Sequence, residues 1–237
     1  MLAMAGPMPG QVIYNANFDA QSLGALTTGS APSLPQSIIA DTGVSVSVVA
    51  TAGNLTSQPV LFHTISGSLA SAAFFNPSPP TSGNWRVSWQ SLVLGTPVGD
   101  PLTQPNVQII DPNGTSSWSL KYLPSGQFYI EDAGGFHTVG SFVTGQSDLF
   151  DVELHLTTNT YDFLLNNNVL LSGSLAGNGV FDFTYFRING RTGFALPDLA
   201  IDNFTVSAIP EPSTYAALFG LGALGFAAYR RPRERAG

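Results

Sequence analysis

From Val12 onward, apolar and polar residues alternate in short runs separated by turn-forming residues. In Trp85-Arg86-Val87-Ser88-Trp89-Gln90 every second residue is apolar, the pattern of a strand with one face buried and the other solvated. Val107 and Ile109 repeat it and lead into Asp111-Pro112-Asn113-Gly114, a turn in which Pro presets φ and Gly accepts a positive φ. Trp118, Leu120 and Tyr122 alternate next, and Pro124-Ser125-Gly126 turns the chain into Phe128 and Ile130. The last three of these runs predict a three-stranded meander, and the alternation puts Trp85, Trp89, Trp118 and Tyr122 on core-facing positions.

Phe150 to Leu156 alternates cleanly, Tyr161, Phe163 and Leu165 continue the pattern, and Asn166-Asn167-Asn168 predicts a hairpin turn into Val169 and Leu171. Phe181 to Phe186 and Leu199 to Val206 read as two further strands, while the Ser, Ala, Pro and Gly-rich N-terminal third holds weaker ones such as Val44 to Val48. No amphipathic helix of useful length interrupts residues 11–208, and no internal repeat is visible. Many short strands and turns predict an all-β, two-sheet antiparallel sandwich there.

The end of the chain breaks this pattern. Ser213 to Tyr229 is uncharged and apolar on all sides, unlike a helix buried by one face. At about 1.5 Å per residue it crosses most of a bilayer core of about 30 Å, predicting a single transmembrane helix over 213–229. Pro210-Glu211-Pro212 precedes it and Arg230, Arg231, Arg233 and Arg235 follow. The prolines end the preceding strand and make a stiff extended element. The arginines hold the basic tail, 230–235, on the cytoplasmic side and leave the body outside.

Composition sharpens the division. Of 237 residues only 10% are charged, and the four tail arginines are half of the eight basic residues. The body therefore keeps Arg86, Lys121, Arg187 and Arg191 against many more carboxylates. It has no basic stripe for phosphates, so nucleic-acid binding is excluded. With no cysteine there are no disulfides, thiolate metal sites or lipid attachment at an N-terminal Cys, and the body must hold itself by core burial.

Pro-Glu-Pro, an apolar span and an arginine cluster, in that order at 209–237, resemble the PEP-CTERM sorting signal. The resemblance implies an exosortase, a membrane protease, as partner: it recognises Pro210, Glu211 and Pro212 and removes the helix. The protein passes transiently through the inner membrane to the cell surface or extracellular matrix. Met1 to Pro9 lacks a basic start and a long apolar stretch, so residues 1–10 read as the remnant of a signal peptide or a disordered lead.

Asn17-Phe18-Asp19, the hairpin from Val152 to Leu171 and Ile201-Asp202-Asn203-Phe204 are similar to the concanavalin A-like or laminin G-like jelly roll, whose terminal strands lie side by side. A galactose-binding-like jelly roll is the alternative. The resemblance implies a structural Ca2+ between Asp19 and Asp202, since calcium is held by several oxygens. It also implies contact with extracellular polysaccharide.

Sugars stack on exposed rings, and the core-facing aromatics are already used. Tyr129, on the opposite strand face from Phe128 and Ile130, and Phe136, beside Gly134-Gly135, are the candidate ligand contacts. Asp151, Glu153 and His155 share one strand face and could bind a metal or act as acid and base. Residues so placed lie about 6–7 Å apart, however, and read equally as a solvated face. Asp148, Asp151 and Glu153 do not reproduce the compact acidic motif of jelly-roll glucanases. No Gly-x-Ser-x-Gly elbow, phosphate loop or dinucleotide fingerprint occurs, and only His63, His137 and His155 offer imidazoles.

The expectation is thus an exported protein with no catalytic residues and a body that contacts glycans. A secreted polysaccharide hydrolase or lyase, and a purely structural sheath or biofilm component, are the alternatives.

Overall fold

The computed structural model describes residues 12–16, 18–28, 35, 37–55, 57–63, 65, 69–75, 82–96, 105–110, 116–177, 183–189, 197–209 and 226. These residues form two antiparallel sheets, as the alternation predicts. The first runs in the order β14 (Asn168–Ser174), β13 (Thr160–Leu165), β12 (Asp148–His155), β7 (Asn84–Leu94), β16 (Asp198–Ala208), β5 (Val60–His63), β4 (Ser45–Val48) and β2 (Gly24–Ala25). In the same sheet, β1 (Val12–Ala16) also pairs with β16.

The second sheet runs β11 (Gly135–Ser141), β10 (Gln127–Asp132), β9 (Ser116–Tyr122), β8 (Asn106–Ile110), β15 (Phe183–Asn189), β6 (Leu69–Phe75) and β3 (Ser37–Ala40). The expected meander is β8, β9 and β10, paired in sequence.

The sheets meet through aromatic rings supplied by the apolar phase of each alternation. Trp85, Trp89, Trp118 and Tyr122 are all buried, as expected. Trp89 of the first sheet stacks on its cross-strand partner Phe150 with ring centroids 5.4 Å apart and an 8° interplanar angle. Trp118 of the second sheet packs at an angle against Trp89 (6.4 Å), Tyr161 (6.1 Å) and Phe163 (6.0 Å). Phe128 meets Phe150 edge-on at 5.2 Å, an arrangement that ring quadrupoles favour.

The polar tips of Trp89, Tyr122 and Tyr161 are also used. Trp89 Nε1 donates to Ser91 Oγ at 3.1 Å, and Ser91 Oγ lies 2.5 Å from Tyr122 OH, so a hydrogen bond crosses the core. At one margin Ala133 N donates to Ser174 O at 3.1 Å and Tyr161 OH donates to Asp132 Oδ2 at 2.7 Å, closing sheet onto sheet. Burial, and the Asp132 carboxylate beside it, push the Tyr161 phenol far up, so it stays a donor.

Strand β16 is the spine of the first sheet. Its first half, Leu199 to Ile201, pairs with β5, and its second half, Phe204 to Ser207, pairs with β1, while β7 lies along its other side. The switch occurs at a register shift between Asp202 and Thr205, where Asn203 takes φ of 52°. Such an irregularity lets one strand serve two neighbours on the same side. The terminal strands β1 and β16 lie side by side, as the resemblance implies. The hairpin between β13 and β14 turns on Asn166 and Asn167, with φ of 50° and 66°, the two left-handed positions a tight hairpin requires.

Some elements differ from expectation. Gly135 opens a strand rather than closing a turn, and β11 is an edge strand with Phe136 exposed. Its alternation carries little apolar signal because it has one neighbour and a solvated side. Strand β15 begins at Phe183; Phe181, the Asp111 to Gly114 turn, residues 1–10 and the tail from Pro210 onward, Phe226 excepted, lie outside the described residues. Among the described residues no helix is long and apolar enough to cross a membrane.

Because Trp118 touches three rings of the opposite sheet, Trp118→Ala should lower stability by about 3–5 kcal/mol, the cost of a large buried cavity. Equilibrium unfolding in urea measures this, and a loss under about 1 kcal/mol would contradict the aromatic interlock.

Candidate functional site

Strand alternation that buries Val107, Ile109, Leu120, Tyr122, Phe128 and Ile130 turns their neighbours to the outer face of the second sheet. Pairing sets them in two rows. One is Asn106, Lys121, Tyr129 and Thr138; the other is Gln108, Ser119, Glu131 and Phe136. The face is deep along β8 and β9, where Asn106, Ser117, Ser119 and Lys121 are all buried, and open at β11, where Phe136 is 58% exposed. The hydroxyls of Ser117 and Ser119 find no hydrogen-bond partner among the described residues.

The two aromatic candidates come together here. Tyr129 and Phe136 stack with centroids 5.2 Å apart and an interplanar angle of 17°. Tyr129 therefore gives one ring face to Phe136, and the aromatic surface open to a ligand is chiefly that of Phe136. Lys121 Nζ lies 6.0 Å from the Phe136 centroid and 2.9 Å from Glu131 Oε2. The cation is thus placed by a carboxylate and a ring together. Sequence reading found the two rings but missed Asn106, Gln108, Ser119, Lys121 and Glu131. They occupy the polar phase of the same alternations that identified the core, and that phase held the signal.

The outer face of the first sheet gathers a second cluster. Glu153 and His155 of β12 do not converge unaided, but Asp162 of β13 joins them, and ligand atoms of the three lie within 4.8 Å of one another. Each is already engaged. Arg86 pairs with Glu153, His155 Nε2 lies 3.0 Å from Asp162 Oδ2, His155 Nδ1 lies 3.0 Å from Asn84 Oδ1, and Ser172 donates to Asp162. Burial raises the Asp162 carboxyl, but the Ser172 hydroxyl and His155 outweigh it and hold it below its ordinary value. Asp151, on the same strand face, is buried instead of solvated. The other two histidines also sit on aspartates: His63 Nδ1 is 2.8 Å from Asp198 Oδ1, and His137 Nε2 is 3.0 Å from Asp132 Oδ1.

Asp19 and Asp202 meet a common segment. Asp202 is fully buried, accepts a hydrogen bond from Asn203 N at 2.7 Å, and also accepts from Ser57 Oγ. Asp19 Oδ1 accepts from Gln58 N at 3.0 Å. Gln58 Oε1 is itself buried without a hydrogen-bond partner.

Comparison with known proteins bears on the tail and the body separately. Residues 208–231 match the family model of the PEP-CTERM protein-sorting motif. This implies recognition by an exosortase and export to the cell surface, and it includes Pro210, Glu211, Pro212, Arg230 and Arg231. No curated protein matches the sequence.

Among solved structures, a sialidase matches with a TM-score of 0.64 at 11% identity over 85% of this chain. The binding domain of Paraclostridial Mosquitocidal Protein 1 matches at 0.54 with 10% identity over 88%, and the alginate lyase AlgAT5 of polysaccharide lyase family 7 at 0.51 with 13% identity over 84%. The chain spans 19% of the sialidase, 51% of the mosquitocidal binding domain and 93% of the lyase. These likenesses support the jelly-roll fold and do not single out its concanavalin A-like or laminin G-like branch.

They also correct one expectation. A body set apart from enzymes does not stand, because this fold is shared with a sialidase and an alginate lyase. Identities this low carry the fold and assign no catalytic step to this chain.

Asp162 makes a prediction about acid. Its depressed pKa means that its stabilisation is complete above the unfolded-state value, 3.8, and is lost as pH falls through the lower folded value. The pair is largely solvated, so the effect should stay within about 1 kcal/mol. Urea unfolding at neutral pH and below the folded-state value should show Asp162→Asn less stable than the parent only at neutral pH. A gap unchanged by acid would show that the carboxylate charge contributes nothing.

Proposed function

We propose that the chain is an exosortase-sorted surface or matrix protein whose concanavalin A-like body contacts neutral glycan chains across the outer face of the second sheet. In this reading residues 213–229 span the inner membrane transiently, held in orientation by Arg230, Arg231, Arg233 and Arg235. The exposed Phe136 ring, backed by Tyr129 and bordered by Lys121 and Glu131, carries the glycan reading. A sugar's C–H face stacks on such a ring, and the flanking charges and Gln108, in the same row as Phe136, supply partners for its hydroxyls. The body is acidic and Lys121 is already paired with Glu131, which disfavours polyanionic chains. The sialidase and alginate lyase neighbours support a glycan-directed fold.

The residues at the chain's two ends also fit a calcium ion. Asp202 is a buried carboxylate that no Lys or Arg pairs with among the described residues, and in the Ser57-Gln58 segment that bonds both aspartates Gln58 Oε1 is orphaned. Buried charge of this kind calls for a counter-charge. Asp19, Asp202 and the Ser57-Gln58 oxygens would hold the ion, which would tie the Phe18–Ala20 turn of 3-10 helix to β16.

Phe136→Ala should weaken binding to a neutral polysaccharide about tenfold or more, the loss expected for one stacking ring. Affinity electrophoresis through gels containing candidate glycans reads this, with released reducing ends assayed in parallel. Unchanged retardation would remove this face from the proposal, and reducing ends released by the parent would assign it catalysis. For calcium, a free concentration a hundredfold above Kd adds about 2.7 kcal/mol, or a rise in Tm of about 5–10 °C. A melting curve indifferent to calcium and chelator would remove the ion.

A further inference from the structure

The sorting motif has no spacer between it and the folded body. Strand β16 stays in register with β7 as far as Ala208, opposite Trp85, and the next residue, Ile209, donates its N–H to Asn84 O at 2.8 Å. Pro210 follows directly. Nor can this end peel away as an edge strand would, since Ser207 is paired with Arg86 on one side and Val12 on the other. An extended chain advances at most about 3.6 Å per residue, so Glu211 lies within about 7 Å of the last sheet-bonded residue. Anything that grips Pro210-Glu211-Pro212 must come to the surface of the sandwich.

We infer that the exosortase docks against the end of the sandwich around Ile209, and that this surface is part of what it recognises. The inference rests on the sorting reading of the tail. The surface is built from the start of β7 and the turn that leaves β12. Leu156 N donates to Gly83 O at 3.1 Å and Gly83 N reaches Thr157 Oγ1 at 3.4 Å, which holds the two segments together. Ser82, Thr157 and Thr158 are exposed there.

The chemistry of this end suits such a partner. Ser82 to Asn84 and Leu156 to Asn159 contain no charged residue, in a chain with fifteen carboxylates. A carboxylate carried into a close protein contact costs desolvation unless it is paired there. A neutral, hydroxyl-lined end can be brought close without that penalty. Direct attachment to a central strand leaves no linker to widen the directions from which the motif can be approached.

The test is processing of the full chain, expressed from its own locus in cells with the sorting system. Conversion of the tail-bearing form is followed on blots. Ser82→Glu with Thr157→Glu should slow conversion about tenfold by placing charge in the contact. A melting curve like the parent's shows that the body still folds. Inserting a Gly-Ser linker of about twelve residues, with a mean span of about 19 Å, between Ile209 and Pro210 should restore conversion of the double variant. Parental conversion rates in the double variant, or no rescue by the linker, would overturn the docking surface. Glu211→Ala serves as control: if it still converts, the sorting reading itself fails.

Discussion

Trp118 enters the space between the sheets and is held there by Trp89, Tyr161 and Phe163. Sheets in a sandwich lie about 10 Å apart, a gap that two layers of rings fill well and small residues do not. Phe128, Phe150 and Tyr122 continue the same interlock. Everything outward depends on this packing, because a strand whose inner face is fixed by large rings has no choice of register. The polar residues between those rings then have fixed places on the outer faces. Lys121, Tyr129, Glu131 and Phe136 form an ordered surface because Leu120, Phe128 and Ile130 cannot move.

The second constraint is the placement of β16. A last strand at a sheet edge could fray and offer its end freely. This one runs through the middle of the first sheet, changing neighbours at the Asn203 irregularity. Asp202 lies buried at that change, fastened to Ser57, while Asp19 is fastened to Gln58. Both ends of the body are therefore tied into one region, and the sorting motif follows in sequence directly after this central strand.

Polar partnering followed rules the alternation only half reveals. Each of the three histidines lies against an aspartate of a neighbouring strand. Spacing along β12 placed Glu153 and His155 on one face, but Asp162 closed the group from β13. A cross-strand neighbour depends on register, which a single strand's pattern does not state. Phe136 shows the reverse case. The ring was visible as exposed, yet its stacking on Tyr129 arises only because β11 pairs with β10 beyond a two-residue turn.

The amino-acid sequence by itself determined the all-β sandwich, the central strands and the aromatic core, because period-two alternation of large apolar residues admits one face as interior. It also determined the sorting motif, a local string legible in Pro-Glu-Pro, the apolar run and the arginines that follow. Tertiary structure alone decided the order of strands in each sheet, the burial of Asp151 and Asp202, and the company that Lys121 keeps. These depend on which strands meet, and pairing is a long-range choice governed by the fit of whole faces across the core.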